Sequence, residues 1–229
     1  MIRVFIGYDS GLPVLYNVLQ HSIQVRSSQP VSIMPVMLSQ LQGVHKRKRD
    51  PLASTEFSFS RFLVPFLSSY EGWSLFMDND AIVLDDIAKL WALRDERYAV
   101  MCIKHDHQPR EDVKFLGMAQ TKYEKKNWSS VILFNNSLCK HLTPEYVNSA
   151  TGLELHQFKW LADDDLIGEL PPAWNHLVGY DKPHSGVSLV HYTLGGPYFN
   201  ETKDCEYSAE WFAERDQMLS CTQRDGGAS

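Results

Sequence analysis

The sequence predicts a single α/β domain with a mainly parallel central sheet and helices on both faces. Short apolar segments alternate along the chain with segments whose apolar residues recur at helical spacing. This alternation is typical of parallel strands joined by crossover helices, which cover such a sheet on both sides. Hydrophobic residues make up 44% and charged residues 22% of the 229 residues, as expected for one globular domain that buries a core.

The chain begins with a predicted strand and helix. Residues 3–7 form a short β-rich run, and residues 9–11 (Asp-Ser-Gly) predict a turn after it. Pro13 suits the first helical turn because its φ is already helical, and the helix should end near residues 27–30. The later predicted elements are a strand at 31–38 interrupted by Pro35, a polar and basic loop at 40–54, a helix at 57–70 in which Pro65 would cause a kink or mark a turn, and strands at 73–77, 98–103, 131–134 and 187–190.

Domain organisation and cellular location are predicted from composition. We expect residues 1–215 to form one domain and residues 216–229, which end in small polar residues, to be a flexible tail. The start of the chain turns polar too soon for a signal peptide, and no apolar run approaches the roughly 18 residues of a membrane span. The four cysteines are far apart, which indicates reduced thiols of a cytoplasmic protein. The net charge of −6 argues against nucleic-acid binding.

An acidic triplet, Asp78-Asn79-Asp80, follows the apolar run at 73–77. In open α/β sheets, ligands bind at the carboxyl ends of strands. Two Asp side chains one residue apart can both reach a divalent cation if the backbone turns between them, and carboxylates suit magnesium and manganese. For an Asp-x-Asp on its own, the alternative is an acidic turn between two apolar segments.

Three later segments carry polar residues that have a structural and a functional interpretation. Residues 163–165 are three aspartates that open a predicted helix, where acids either cap the first turn or serve a site. His191 ends a predicted strand before a glycine-rich turn, and it is either a structural residue or a ligand. Residues 128–130 (Trp-Ser-Ser) place small side chains directly before a buried strand.

The order of these features resembles glycosyltransferases of the GT-A fold, a Rossmann-like α/β fold. The closest likeness is to the retaining group that contains glycogenin and the bacterial lipooligosaccharide galactosyltransferases, and it covers about residues 2–199. The best-matched pieces are an Arg at position 61, the aliphatic-Asp-x-Asp at 77–80, and residues 86–91, which end in Leu-Trp. The resemblance implies a hexosyltransferase-like enzyme that moves a sugar from a nucleotide-diphosphate donor, a UDP-sugar first of all, with retention of configuration.

Carried over to this chain, the family pattern implies a role for each matched residue. Asp78, Asp80 and His191 would hold a manganese ion, or magnesium in its place, at the diphosphate of the donor. Asp163 and Asp164 would be the catalytic residues and would contact sugar hydroxyls near the reacting carbon. The residues implied in nucleotide binding are Ile6, Gly7, Tyr8, Asp9, Arg61 and Asn79, and those implied in donor-sugar binding are Ser129 and Ser130 together with Asp163 and Asp164.

The chain departs from the family pattern after His191. The family often has His-x-x-Gly-x-x-Lys-Pro-Trp, whereas residues 191–198 read His-Tyr-Thr-Leu-Gly-Gly-Pro-Tyr. The phosphate-binding Lys is missing, and Lys48, Arg49 or Lys203 would have to replace it. Two other classes stay open: a nucleotide-sugar-binding protein without transferase activity, and a haloacid-dehalogenase-like phosphatase, which also ends a strand in Asp-x-Asp.

Some surface segments are open to two interpretations. Variable loops build acceptor surfaces in such folds, and the candidates here are residues 104–126 and 138–158. For the first of them, a solvated polar loop is the favoured interpretation. The basic run at 45–49 is either a solvated loop or a patch for phosphate or an acidic partner, and residues 207–212 predict an amphipathic helix against the body or a partner. The acceptor would be a saccharide, a lipid-linked glycan or a protein.

Overall fold

The computed structural model describes residues 1–48, 53–105 and 124–220. The strands in these ranges are β1 (Ile2–Gly7), β2 (Val31–Val36), β3 (Trp73–Met77), β4 (Ala81–Val83), β5 (Val100–Cys102), β6 (Val131–Asn135), β7 (Ile167–Glu169), β8 (His176–Leu177) and β9 (Leu189–His191). The α-helices are α1 (Pro13–Arg26), α2 (Val64–Leu67), α3 (Ile87–Ala92), α4 (Pro144–Ser149), α5 (Gly152–His156) and α6 (Ser208–Leu219).

The strands form a central sheet and a smaller second sheet. The central sheet has six strands in the order β2-β1-β3-β6-β5-β7, and the second has three in the order β4-β9-β8. In the central sheet, β6 runs antiparallel to both of its neighbours and the other pairs are parallel. The prediction of a mainly parallel α/β sheet is confirmed. The reversed direction of β6 was not predicted, because a short apolar run carries no information about strand direction.

Alternate residues of the central strands face two separate cores, as the period of a β-strand requires. Val4, Ile6 and Leu75 pack on one face with residues of α1 and α3. Phe5 and Phe76 pack on the opposite face with residues of α2, α4 and α5. Helices therefore cover both faces of the central sheet, as predicted.

Two prolines affect the structure differently from what the sequence predicted. The helix predicted at 57–70 is divided into a 3₁₀ turn, Ser60–Leu63, and α2, and Pro65 lies in the first turn of α2. No helical hydrogen bond is lost there, so this proline begins a helix and does not kink one. Strand β2 continues through Pro35, which lies opposite Ile6. An edge strand tolerates proline because its outer side needs no N–H donor.

The prediction of a helix that begins at Asp163 is wrong. A single 3₁₀ turn, Asp164–Leu166, leads directly into β7, and the Asp163 side chain accepts a hydrogen bond from Asp165 N at 2.9 Å. Strand β7 pairs in parallel with β5, and Gly168 lies so close to Tyr98 that an added Cβ would come within 2.6 Å of its ring. Pairing with β5 therefore outweighs the helix-initiating signal of the acids.

The interpretation of residues 138–158 as a variable loop is also wrong. The segment contains α4, capped by Thr143, and α5, which starts with a capping box at Thr151. Val147 and Leu155 are fully buried in the core under the sheet. A role in acceptor binding stays a prediction here, while most of the other candidate, 104–126, lies outside the described residues.

Helix α6 packs against α1. Trp211 is 2% exposed, and Glu214, which is 3% exposed, pairs with His21 and with Arg26 Nη1 at 2.7 Å. Because of these contacts α6 runs to Leu219, beyond the predicted domain boundary at 215. The division into domain and tail stays a prediction, since 221–229 lie outside the described residues. No helix in the part of the chain that the structure describes could cross a lipid bilayer.

Candidate metal-binding site

The turn at residues 78–80 carries the chain from the central sheet to the second sheet. Asp78 N donates to Ser130 O at 2.8 Å, which extends the pairing of β3 with β6. Tyr192 N donates to Asp80 O at 2.8 Å, and Ala81 lies opposite His191 in the antiparallel pair β4–β9. The turn therefore holds its first Asp at the carboxyl end of β3 and its second Asp beside the end of β9.

Asp78, Asp80 and His191 converge at this turn and form the Asp–Asp–His cluster. One possible ligand atom from each lies within 4.8 Å of the others, and His191 Nε2 is 3.2 Å from Asp80 Oδ1. His191 is 3% exposed. Two carboxylates and one imidazole are donor groups that bind divalent cations, so the residues present fit such an ion. Their role as metal ligands stays a prediction.

Mutual attraction outweighs burial in the Asp80–His191 pair. Burial raises the pKa of Asp80, but the charge and hydrogen bond of His191 and the charge of Arg61 lower it below its ordinary value. Burial lowers the pKa of His191, but the charge and hydrogen bond of Asp80 raise it above its ordinary value. The pair therefore favours a carboxylate and an imidazolium, and a cation bound to Nε2 would have to displace its proton.

Arg61 contacts the cluster directly through Asp78. Its Nη1 lies 2.7 Å from Asp78 Oδ1 and donates to Ser129 O at 2.8 Å. The guanidinium lies 5.4 Å from the ring centre of Phe57 and 5.1 Å from that of Phe76, within cation–π range. Arg61 therefore orients a predicted metal ligand, and its predicted contact with the nucleotide is untested.

Gly7 explains how Phe57 reaches this position. A Cβ on Gly7 would lie 2.3 Å from Phe57 Cδ2, so only glycine leaves room for the ring. The ring in turn lies 6.3 Å from that of Phe76 and supports the guanidinium of Arg61. Close packing accounts for the glycine at this position, and an approach of the nucleotide to its backbone remains a prediction.

The chain that leaves β1 passes beside the acidic turn. Ile6 lies opposite Met77 in the parallel pair β1–β3, which brings the following residues next to Asp78. The Ile6 side chain is fully buried in the core, so only its backbone can face a ligand. Tyr8 packs edge-on against Tyr16, with ring centroids 5.6 Å apart. Contact of these residues with a base or ribose stays a prediction.

The remaining residues predicted to bind the nucleotide differ in how they are bonded. Asp9 fastens the turn after β1, because its carboxylate accepts from Gly11 N at 3.0 Å and from Glu56 N at 3.3 Å. Asn79 is 3% exposed, and its Nδ2 has no hydrogen-bond partner among the described residues. The same holds for Arg61 Nε. Buried donors of this kind are uncommon, and a ligand oxygen would satisfy them.

The two serines predicted to bind the donor sugar are buried and bonded within the protein. Ser129 Oγ lies 2.7 Å from Nδ1 of His156, which also packs edge-on against Phe62. Ser130 Oγ donates to Asn127 O at 2.7 Å. The two serines are 5% and 3% exposed. Direct contact of either hydroxyl with a sugar is untested.

The two predicted catalytic aspartates lie on the turn before β7 and are not members of the Asp–Asp–His cluster. Asp163 caps this turn, and Asp164 pairs with the amine of Lys125, which also donates to Gln157 O at 3.0 Å. Asp164 is 70% exposed at its side chain. Their catalytic role stays a prediction.

Of the candidates to replace the missing phosphate-binding Lys, Lys48 and Lys203 are exposed, and Arg49 lies outside the described residues.

Asn175 was missed by the sequence analysis, although it contacts the cluster. It is 1% exposed, and His191 Nδ1 lies 3.0 Å from its Oδ1. Its Nδ2 donates to Ser130 Oγ at 2.8 Å and to His105 Nε2 at 3.0 Å. The only sequence signal was a polar residue after Trp174 in a mostly apolar run. His156 and Lys125, which bond to predicted site residues, carried no signal.

Sequence relatives support one family for this chain. No family model matches it. It is 46% identical over 227 residues to Protein CDI of Arabidopsis thaliana, and the match covers 94% of this chain and 86% of that protein. A match to General stress protein A of Bacillus subtilis is 24% identical over 184 residues and covers 69% of this chain and 64% of that protein.

Solved structures with the same fold are glycosyltransferases. The galactosyltransferase LgtC, in complex with donor and acceptor sugar analogues, matches with a TM-score of 0.57 at 11% identity, over 97% of this chain and 98% of that one. The bifunctional glycosyltransferase WbbM matches with a TM-score of 0.65 at 14% identity, over 93% of this chain and 49% of that one. The glycosyltransferase GlyE of Streptococcus pneumoniae matches with a TM-score of 0.61 at 14% identity, over 93% of this chain and 60% of that one.

The match thus covers 98% of LgtC but about half of WbbM. These likenesses confirm the fold that the sequence resemblance implied. The chain belongs to the family of the Arabidopsis Protein CDI and has the GT-A fold of glycosyltransferases.

Proposed function

We propose that the protein is a metal-dependent glycosyltransferase that moves a sugar from a UDP-sugar to a saccharide, lipid-linked glycan or protein acceptor. The observation that carries the proposal is the convergence of two carboxylates and one imidazole within 4.8 Å at the end of β3. This position is where open α/β sheets bind their ligands. The GT-A fold supports this activity by analogy with the glycosyltransferases that share it.

Departure of a nucleoside diphosphate leaves negative charge on its oxygens. A divalent cation, when bound, supplies the positive charge that stabilises the leaving group. Asp78, Asp80 and His191 would hold that cation, and Arg61 Nη1 pairs with the Asp78 carboxylate at 2.7 Å. We propose manganese as this cation because the family resemblance implies it and because carboxylates suit it.

The nucleotide would lie between the acidic turn and the end of β1. The buried donors Asn79 Nδ2 and Arg61 Nε have no partner within the described ranges and support this placement, since nucleotide oxygens would satisfy both. Tyr8 would offer its ring to the base, and Asp9 keeps the turn around the ribose in place. The residues that would hold the donor sugar are Ser129, Ser130, Asp163 and Asp164.

We propose that Asp163 and Asp164 orient the sugar and stabilise positive charge at its anomeric carbon. A diphosphate is a good leaving group, so neither carboxylate needs to donate a proton. The amine of Lys125 fixes the Asp164 carboxylate on the turn before β7. Transfer with retention follows the family resemblance.

A reducing compartment, the cytoplasm, is the location we propose. Cys102, Cys139 and Cys205 are free thiols, and Cys221 lies outside the described residues. Burial raises the pKa of Cys102 to about 12, so this thiol stays protonated and unreactive. Free thiols are the usual state of cysteines in reducing compartments.

Calorimetric titration with UDP, in the presence and absence of Mn²⁺, tests the proposal. We expect binding that depends on Mn²⁺ and is lost in Asp78→Asn and Asp80→Asn, whereas Asp95→Asn, at an exposed ion pair with Arg97, should bind as the wild type does. A screen of nucleotide sugars for Mn²⁺-dependent UDP or GDP release then identifies the donor. A UDP affinity that is the same with and without Mn²⁺, and the same in the two Asp variants, would refute the proposed site.

The UDP titration and activity assays together separate the alternatives. Mn²⁺-dependent UDP binding without release of UDP from any donor would identify a nucleotide-sugar-binding protein. Phosphatase activity without UDP binding would identify the haloacid-dehalogenase-like class, which the GT-A likeness does not support.

A further inference from the structure

Asn175 contacts the ring nitrogen of His191 that does not face Asp80. Strand β8 follows Asn175 and pairs in parallel with β9, with Leu177 opposite His191. This pairing places Asn175 beside β9, and its Oδ1 lies 3.0 Å from His191 Nδ1. The opposite ring nitrogen, Nε2, faces Asp80 at 3.2 Å. One nitrogen of the ring is thus bonded to the protein interior, while the other points into the Asp–Asp–His cluster.

The hydrogen bonds around Asn175 determine which way its amide points. Ser130 Oγ uses its hydrogen to donate to Asn127 O at 2.7 Å, so it can only accept from Asn175. The group that donates to Ser130 must be the amide nitrogen, and the same nitrogen donates to His105 Nε2 at 3.0 Å. The amide oxygen therefore faces His191 and requires an N–H at Nδ1.

We propose that Asn175 is a positioning residue that sets His191 for cation binding. An N–H fixed at Nδ1 leaves Nε2 as the nitrogen that can give its lone pair to a metal. Hydrogen bonds of this kind, from a ligating histidine to a carbonyl or carboxylate, fix the ring orientation and raise the basicity of the ligand. The inference rests on the metal site of the proposed function and adds to it a residue outside the ligand set.

Two substitutions separate positioning from structural support. Asn175→Ala removes both the acceptor for His191 and the donor to Ser130 and His105. Asn175→Asp keeps the acceptor for His191 and removes the donor. If Asn175 acts by accepting from His191, the aspartate variant keeps cation binding. If it acts only by holding Ser130 and His105, the two variants lose cation affinity to the same extent.

Asn136 provides a matched control. It is fully buried, and its Nδ2 donates to Glu71 O at 3.0 Å and to Ser74 Oγ at 2.9 Å. It follows β6, at the opposite end from Ser130. Asn136→Ala therefore removes a buried amide and two hydrogen bonds without touching the Asp–Asp–His cluster.

The experiment is a titration of each purified variant with Mn²⁺, read by the loss of the free-ion EPR signal, together with thermal unfolding. We expect Asn175→Ala to weaken Mn²⁺ binding about 10- to 100-fold. Asn175→Asp should bind within about threefold of the wild type or more tightly, because the carboxylate keeps the acceptor. Asn136→Ala should lose stability and keep its Mn²⁺ affinity.

Two results would overturn the inference and leave the proposed function standing. One is wild-type Mn²⁺ affinity in Asn175→Ala. The other is equal weakening in the Ala and Asp variants, which would assign Asn175 a purely structural role. Failure of the wild-type protein to bind Mn²⁺ is a different result, and it would remove the proposed metal site together with this inference.

Discussion

Replacing Arg61 by methionine should destabilise the protein, and Mn²⁺ should restore part of the loss. The Arg61 side chain is 6% exposed and lies 2.7 Å from the carboxylate of Asp78, which is 16% exposed. Methionine fills most of the space between Phe57 and Phe76 but leaves Asp78 without its positive partner. Removing one member of a buried ion pair costs about 3–5 kcal/mol. The partial exposure of Asp78 places the expected loss at the lower end, about 3 kcal/mol.

For a chain of 229 residues, this loss corresponds to a fall in Tm of about 6–12 °C in EDTA. A cation at the Asp–Asp–His cluster would replace the missing positive charge, and at a hundred times its Kd it would stabilise the variant by about 2.7 kcal/mol relative to the same variant in EDTA. The substitution also removes a positive charge that repels the cation, so Mn²⁺ should bind the variant more tightly than the wild type. Thermal unfolding in EDTA and in Mn²⁺, followed by circular dichroism, measures both effects.

Arg26→Met is the matched control for this experiment. Arg26 makes an ion pair of the same length, 2.7 Å, with Glu214 between α1 and α6, and the Glu214 side chain is 2% exposed. Its loss of stability should be the same in EDTA and in Mn²⁺, because neither residue belongs to the site. If Arg61→Met also loses the same stability in both conditions, the reasoning that Arg61 acts through the charge of Asp78 is refuted.

Three further predictions concern single residues. Asp80 raises the pKa of His191 despite burial, so Mn²⁺ must compete with a proton for this histidine. The affinity for Mn²⁺ should therefore increase with pH, about tenfold per unit until His191 is neutral, and a calorimetric Kd that stays constant across this range would contradict this prediction. Gly7→Ala should lower the free energy of unfolding by about 1–3 kcal/mol, measured in urea, because the new Cβ would lie 2.3 Å from Phe57 Cδ2; an unchanged midpoint would show that the ring moves freely. Asp164→Asn should reduce turnover about a hundredfold with little change in donor affinity, and NMR of the product should show retention, whereas an inverted product would make this carboxylate a base.

The acidic turn could be predicted from the sequence because its signal is local. A buried apolar run fixes the end of β3, and the acids that follow it must leave the core. His191 is similar, since it ends a short apolar strand before a glycine-rich turn. Their meeting was implied by the family resemblance and not by strand order, because His191 lies in the second sheet and reaches the turn through the antiparallel pair β4–β9.

The contacts behind these residues could not be predicted, because they join segments far apart in sequence. Asn175 and Ser130 are separated by 45 residues, and Ser129 and His156 by 27. A single buried amide or imidazole in an apolar run does not show which face it occupies or what it bonds. The prediction of a helix at the turn before β7 was wrong for a related reason, since the pairing of β7 with β5 determines the structure there.

The position of the cluster between two sheets has a mechanical consequence. Asp78 is held by β3, Ser130 and Arg61, all on the side of the central sheet, whereas Asp80 and His191 are held by the pair β4–β9. The cation that the cluster would hold therefore bonds to both sheets at once, and the ligand spacing depends on how the sheets pack. Residues of both sheets, including Leu75 of β3 and Leu189 of β9, share one core. Substitutions in that core should therefore change cation affinity without touching a ligand, whereas a substitution of Phe134, in the core on the opposite face, should change stability alone.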